Sequence, residues 1–336
     1  MPKICGKNYM TEHKNGKERA DFHVHLGDRE DADIVREALD NHVTVVAVMD
    51  RGIVRIEKVR RLVALGEKAG IIIVPGVECF TEIQDKSGKT APFELIGLDF
   101  NLGSPTLFND FDPRGEVYSG RHDVKVTFQR EFLENQGFNM TPNEQTQSMW
   151  DIVNSAQILD TAVRLCGIAA QDKATISRLI QSTKFQSELE SHHSHRPQDR
   201  GDLAKFLYWK YFAYGTPGYK KWHPEPKTII DSIKKSEGVV LLAHPRFQHV
   251  QGDLTILDVM ADIFKLGIDG LEGWDHGNLD IELAIMARRR GLLVLGGSGR
   301  DISYNNRILG RGAVGEEEMF ISPRRLKELK AYPRNR

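Results

Sequence analysis

The chain is poor in cysteine, in long apolar runs and in net charge, and each shortage excludes something. Three cysteines (Cys5, Cys79 and Cys166) stand among 336 residues, odd in number and far apart. That argues against a disulfide framework and for a reducing, cytoplasmic setting. No apolar stretch approaches the ~18 residues that a membrane-spanning helix needs. The opening, MPKICGKNYMTEHKNGKERA, is polar and lacks the apolar core of a secretory signal. Lysine and arginine number 46 against 47 aspartate and glutamate, a formal net charge of -1. A balance this even supplies no overall field for a long nucleic acid, whereas a small phosphorylated ligand needs only a local patch.

What is present is a globular composition, 40% hydrophobic and 28% charged, on a chain long enough for one large α/β barrel or two ordinary domains. Strand-like runs alternate with helix-like ones. ADFHVH (20–25), VTVVAVM (43–49), IIIVPG (71–76) and FELIGLDF (93–100) read as the first four strands. DADIVREALDNH (31–42) and RIEKVRRLVALGEKAG (55–70) read as the helices between the first three. The pattern then breaks. SPTLFNDFDPRGEVYSGRHD reads as loop, and 149–171 and 173–193 read as helices, so 105–216 is expected to be a mostly helical insertion. Alternation resumes with helices over 225–238, 254–267 and 279–291 and strands over 239–245, 268–274 and 292–298.

Seven strands with intervening helices predict parallel pairing with right-handed crossovers. The expected architecture is a closed or nearly closed (β/α)7 TIM-like barrel built from 17–104 and 217–336, with an open doubly wound sheet as the alternative.

The unusual polar residues cluster at the ends of these runs. His23 and His25 close the first; Asp50 and Arg51 follow the second; Glu78 follows the third, after the apparent turn PGVE. His244 closes the fifth in AHP, Glu272, Asp275 and His276 follow the sixth, and Ser298, Arg300 and Asp301 follow the seventh. In parallel α/β folds these ends share one face, where active sites form. Residues i and i+2 of a strand point the same way, so His23 and His25 can reach one ion together. Imidazole suits zinc, iron and manganese, and a carboxylate such as Glu78 can bridge two ions. Taken alone, an HxH pair reads equally as two strand histidines. Cys79 reads as a small buried side chain.

In this order DFHVH, VAVMDRG, VPGVECFTE, FELIGLDF, VVLLAHP, IDGLEGW and GLLVLGGSGRD resemble the PHP (polymerase and histidinol phosphatase) domain, over about 20–100 and 217–305. The likeness is greatest to stand-alone phosphoesterases of that family with a helical insertion, and RPQDRGDLAKFLYWKYFAYGTPGYKKWHPEP resembles the end of such an insertion. The resemblance implies a distorted barrel with metal ions at its strand ends and hydrolysis of phosphoesters, including nucleotides. It makes His23, His25 and Glu78 ligands of a first ion, and Glu78 and His244 ligands of a second. Glu94 stands where strand four often carries a ligand histidine.

The chain also departs from the family. Arg51 replaces an expected His, Gly299 an expected Asp, Asp301 an expected His and Gln198 another. The loop after His25 is shorter, leaving Asp28 as a loose match for an aspartate ligand. Arg51 and Asp301 both fall at ligand positions of the family's third ion. A guanidinium cannot ligate a metal but supplies a fixed positive charge, which Asp301 or Asp28 can pair with. Asp50, Arg51 and Asp301 are therefore the candidate catalytic residues.

Arg196, Lys221, Arg246 and Arg300 are candidate phosphate clamps that read equally as surface charges. His276 is a candidate for substrate or metal contact. The tract ESHHSHRP, with His192, His193 and His195, reads either as a solvated turn or as an adventitious metal binder. Two functions follow as expectations. One is a metal-dependent phosphoesterase using one or two manganese, zinc or iron ions on a small phosphoester or nucleotide. The other is a catalytically decayed scaffold that binds a ligand or regulates.

Overall fold

The computed structural model describes residues 19–27, 29–121, 127, 131, 224–245, 254, 256–275, 278–279, 281–299, 307–309, 312–313 and 325–332. The chain divides into two compact units, Met1–Tyr118 with His223–Arg336, and Ser119–Trp222. Nearly all described residues belong to the first. The helices expected over 149–171 and 173–193 lie outside the described residues. No described helix is long and apolar enough to cross a membrane.

The first unit is a mixed α/β fold. Its strands are β1 (Arg19–His25), β2 (Val43–Met49), β3 (Ile72–Gln84), β4 (Thr90–Leu98), β5 (Val239–Leu242), β6 (Gly270–Asp275), β7 (Asn278–Leu279) and β8 (Leu293–Gly297). Its helices are α1 (Asp31–Asp40), α2 (Ile56–Ala69), α3 (Pro105–Phe111), α4 (Pro226–Lys235), α5 (Ile256–Lys265), α6 (Ile281–Arg289) and α7 (Arg325–Ala331). A two-residue hairpin, β9 (Arg307–Ile308) with β10 (Gly312–Ala313), stands apart from the main sheet. Seven strands thus fall where apolar runs placed them.

Three expectations need correction. Pairing is not all parallel: β1–β2–β3 and β5–β6–β8 are parallel, but β4 runs antiparallel to both β3 and β5. PGVE is not a turn, because β3 runs straight through it to Gln84. The turn comes at Asp85, whose Oδ1 accepts from Ser87 N at 2.9 Å and Lys89 N at 2.8 Å. A short turn of this kind can only return the chain antiparallel. Finally, SPTLFNDF is helical, with Ser104 Oγ capping Leu107 N at 3.3 Å and Pro105 at the first helical position.

The sheet rolls without closing. Ala20 and Phe22 of β1, Ala47 of β2, Val74 of β3, Ile96 of β4, Leu241 of β5 and Leu295 of β8 share one interior cluster, which Leu329 of α7 joins. One core lined from so many strands requires a strongly curled sheet. Yet β8 ladders with β6, and no ladder joins it to β1 among the described residues, so the barrel expected from sequence is not closed by hydrogen bonds. A side chain makes the junction instead. Buried Asp21 accepts from Ser298 N at 3.0 Å, Ser298 Oγ at 2.6 Å and His23 N at 3.1 Å. The outer faces pack on helices, with α1 and α2 over β1–β3 and α3–α6 over β3–β6 and β8.

The Asp21 junction predicts an order of stabilities. Asp21→Ala strands three buried donors and should cost about 3 kcal/mol or more in urea unfolding, whereas Ser298→Ala should cost about 1 kcal/mol. Equal losses in the two variants would show that Asp21 does not tie β1 to β8.

Candidate metal centre

A break in strand alternation aims the two histidines of β1. Ala20 and Phe22 face the interior cluster, so strict alternation would send Val24 there too; instead Val24 packs on the outer side against α1. The register explains it: Asp21 pairs with Val46 and Val24 with Val48, one residue more on β1 than on β2. This bulge reverses the phase of the strand and turns His23 and His25 inward together, a common use of bulges beside functional sites. Gly297 of β8 makes room for them. A Cβ there would sit 2.3 Å from both N and Cβ of His23, so no side chain fits.

Alternation is regular on β3 and β4. Val77, Cys79, Phe93 and Leu95 face the outer core, and Ile96 and Leu98 the inner one. Glu78 and Glu94 therefore stand on the inner face, and Cys79 points away from them. Glu94 is mid-strand because β4 runs in the opposite direction, which carries its middle past the mouth. Main-chain bonds extend β2 alongside Glu78: Glu78 N donates to Asp50 O at 3.1 Å and Gly52 N to Glu78 O at 2.6 Å. That brings Arg51 beside Glu78.

The side chains meet around Glu78, which is 1% exposed. Its Oε1 lies 3.1 Å from His23 Nε2 and 3.2 Å from His244 Nε2, and its Oε2 lies 3.4 Å from His25 Nε2. His244 Nε2 is 2.8 Å from Glu94 Oε2. Two groups of ligand atoms result, His23 with His25 and Glu78, and Glu78 with Glu94 and His244, and Glu78 belongs to both. Five residues singled out from sequence thus come together. Arg51 joins them, with Nε 3.3 Å from Glu78 Oε2 and Nη2 3.5 Å from His25 Nε2, while over half of its side chain is exposed.

Of the other candidates, Asp50 stands apart from the cluster. Asp50 turns its carboxylate to Arg55, at 2.8 and 3.0 Å, and to Gly27 N at 3.2 Å. Arg55 also donates to Gly27 O, and Lys58 Nζ donates to Gly27 O at 3.1 Å and to Arg29 O at 2.7 Å. Here Asp50 holds the loop after β1. Asp301, Arg196, Lys221, Arg246, His276 and Arg300 lie outside the described residues, as do Asp28, His192, His193, His195 and Gln198.

Glu272, by sequence an acid near a strand end, holds a structural position at the cluster. It is buried, with Oε1 3.0 Å from His23 Nδ1 and Oε2 accepting His244 N at 2.8 Å. Its one sequence signal is an acid inside the apolar run IDGLEGW.

The donor chemistry fits a divalent metal. With its Nδ1–H given to Glu272, a neutral His23 turns the lone pair of Nε2 toward Glu78 Oε1, and His25 Nε2 stands only 3.2 Å from His23 Nε2. Lone pairs facing one another so closely need a cation or a proton between them. Glu78 Oε2 is buried and accepts no hydrogen bond. Protons fill the need when no metal does. Burial opposes charge on His23, but the carboxylates of Glu272 and Glu78 prevail and push it up to about 10. Burial likewise opposes charge on His244, yet Glu94 and Glu78 hold it well above the ordinary imidazole range. Burial would raise Glu78, but His23 and His25 keep it well below the usual carboxylate range.

No family model and no curated protein matches the chain. Solved structures do. One, from Bifidobacterium adolescentis and put forward as a metal-dependent phosphoesterase, aligns with a TM-score of 0.56 at 16% identity over 93% of this chain and 95% of its own. Another, an amidohydrolase from Chromobacterium violaceum with sulfate bound and no metal, aligns with a TM-score of 0.55 at 17% identity over 94% and 96%. At such identities the likeness is one of fold. Fold and site together define an α/β protein, similar in architecture to these two, with a buried His/Glu cluster of metal-ligand type.

Protons and metal must compete for these nitrogens. Calorimetry should therefore find divalent-metal affinity rising between pH 6.5 and 8.5, by about tenfold per pH unit for each proton displaced. The folded metal-free protein holds a proton on His23 that the unfolded chain releases near 6.5. Its stability should accordingly fall as pH rises from 6.5 toward about 10, and fall less with metal bound. Affinity independent of pH would contradict this account of the centre.

Proposed function

We propose that the protein is a metal-dependent phosphoesterase of the PHP type, acting on a small phosphoester or nucleotide, with two ions held by the cluster and Arg51 in place of a third. The observation that carries this reading is the pair of ligand groups sharing the buried carboxylate of Glu78. His23, His25 and Glu78 would hold one ion, and Glu78, Glu94 and His244 the other. The donor sets differ, with two nitrogens in the first and one in the second. Zinc or iron suits the first, and the harder manganese suits the second. Divalent ions in such a centre supply Lewis-acid polarisation of a phosphoryl oxygen and a bound water acidic enough to attack near neutral pH.

The chain's own residues do the rest. Glu78 and Glu272 keep the nitrogens oriented, and the near-complete burial of His23, His25 and Glu78 excludes bulk water behind the ligands. Arg51 sets a permanent positive charge at the open side of the cluster, where a phosphate would lie, and Asp301 is its proposed partner. Asp50, through Arg55, fixes the loop that follows His25. Arg196, Lys221, Arg246, His276 and Arg300 are proposed for the remaining charges of the substrate. The metal-dependent relative of like fold is consistent with this reading.

One observation favours a second reading, a scaffold that binds ligand without turnover. Gly299, in the left-handed region at φ 57°, offers no side chain where the resemblance expects a carboxylate ligand.

Elemental analysis after metal loading, with an aryl phosphate ester and manganese as the turnover assay, separates the two. Two equivalents of metal, one for each ligand group, are expected, with hydrolysis lost in His23→Ala. Ligand binding at full metal content with no hydrolysis favours the scaffold. A protein that takes up no divalent ion would end the phosphoesterase reading.

A further inference from the structure

Glu78 joins the two ligand groups from the front; a second carboxylate joins them from behind. Glu272, on β6, is 2% exposed and keeps each oxygen on a different half of the centre. Oε1 takes the Nδ1–H of His23 at 3.0 Å, and Oε2 takes the backbone N–H of His244 at 2.8 Å. Neither group of convergent ligand atoms includes Glu272. Packing alone would be met by an apolar side chain of similar size, and a buried carboxylate needs donors for both oxygens. Here a donor for each oxygen comes from a ligand residue. The strand is shaped for it, since Glu272 pairs with Leu295 and Trp274 with Gly296, an irregularity of register immediately after the carboxylate.

We infer that Glu272 is a positioning residue that binds the two ion sites into one unit. Holding Nδ1–H fixes the tautomer of His23, so that Nε2 presents its lone pair to the first site. The negative charge behind the ring makes that nitrogen a stronger donor. Holding the main chain at His244 fixes where β5 ends and hence where the ring meets Glu78 and Glu94. A single side chain thus orders one ligand through its ring and another through its backbone. A glutamine can replace only part of this. Its amide oxygen still accepts from His23, but its NH2 meets the His244 N–H donor to donor.

The inference rests on the metal reading above, and the experiment keeps the two apart. Zinc binding to wild type, Glu272→Ala and Glu272→Gln is measured by calorimetry, and the histidine rings of the zinc-loaded proteins are read by 15N NMR. Wild type comes first: failure to bind zinc there overturns the metal reading before any variant is made. Given binding, Glu272→Ala should weaken both ions by about 10- to 100-fold and lose the slowly exchanging Nδ1–H of His23. Glu272→Gln should keep that Nδ1–H and regain part of the first-site affinity, while the second site stays weak. If Glu272→Ala does not fold, Glu272→Gln decides through the second site alone. Wild-type affinity at both sites in either folded variant, with the His23 resonance unchanged, overturns the inference.

Discussion

A carboxylate sealed from water at the meeting point of three imidazoles governs this structure. An isolated buried carboxylate costs several kcal/mol, so Glu78 survives in place only because positive charge is brought to it. His23, His25 and His244 converge on its oxygens, and Arg51 closes the open side. Glu94 and Glu272 add further negative charge around the same nitrogens. The balance is satisfied either by protons, which is why His23 and His244 hold theirs far above the usual range, or by divalent cations. A cluster that demands cations so strongly has donor chemistry suited to a divalent metal.

The backbone is bent to serve that convergence. A bulge in β1 reverses the strand's phase so that two histidines face inward beyond a phenylalanine that also faces inward. The antiparallel course of β4 carries Glu94 past the mouth in mid-strand. Gly297 lets β8 run against the backbone of His23, and Asp21 fastens that contact where the ladder is missing. The open seam of the sheet therefore lies next to the candidate ligands, and polar side chains hold it. Rigidity at the ligands comes from these local devices, since no hydrogen-bonded ladder joins β1 to β8 among the described residues.

Strand positions were readable because buried strands are continuous apolar runs, and β2 at 43–49 matches its run end to end. Direction was not readable, because an apolar run has no sign: FELIGLDF looks the same whether it is reached by a crossover or by a hairpin. The turn at Asp85 was the available clue, and the apparent break at PGVE hid it. Pro75 and Gly76 there sit inside a strand, where a Cβ on Gly76 would lie 3.0 Å from Leu98 Cδ2 and 3.2 Å from Met49 Cε. The helix after Ser104 carries a signal in its Ser-Pro start, but the acidic and glycine-rich residues that follow mask it.

At the site, the chain alone determined which residues carry lone pairs and which carry fixed charge. His23 and His25 are two apart on one strand, and that spacing holds in any fold that keeps the strand. Tertiary structure decided the roles. Asp50 and Arg51 are neighbours in sequence, yet one carboxylate turns to Arg55 and the loop after β1 while the guanidinium turns to Glu78. Nothing in the sequence marks Asp21, and Glu272 is legible only as an acid near a strand end; the approach of β8 to β1, and of β1 and β5 to β6, supplies the donors that give them their roles. The reason is physical: a hydrogen bond needs a donor–acceptor distance of about 3 Å, and residues hundreds of positions apart reach that distance only when the fold brings them there.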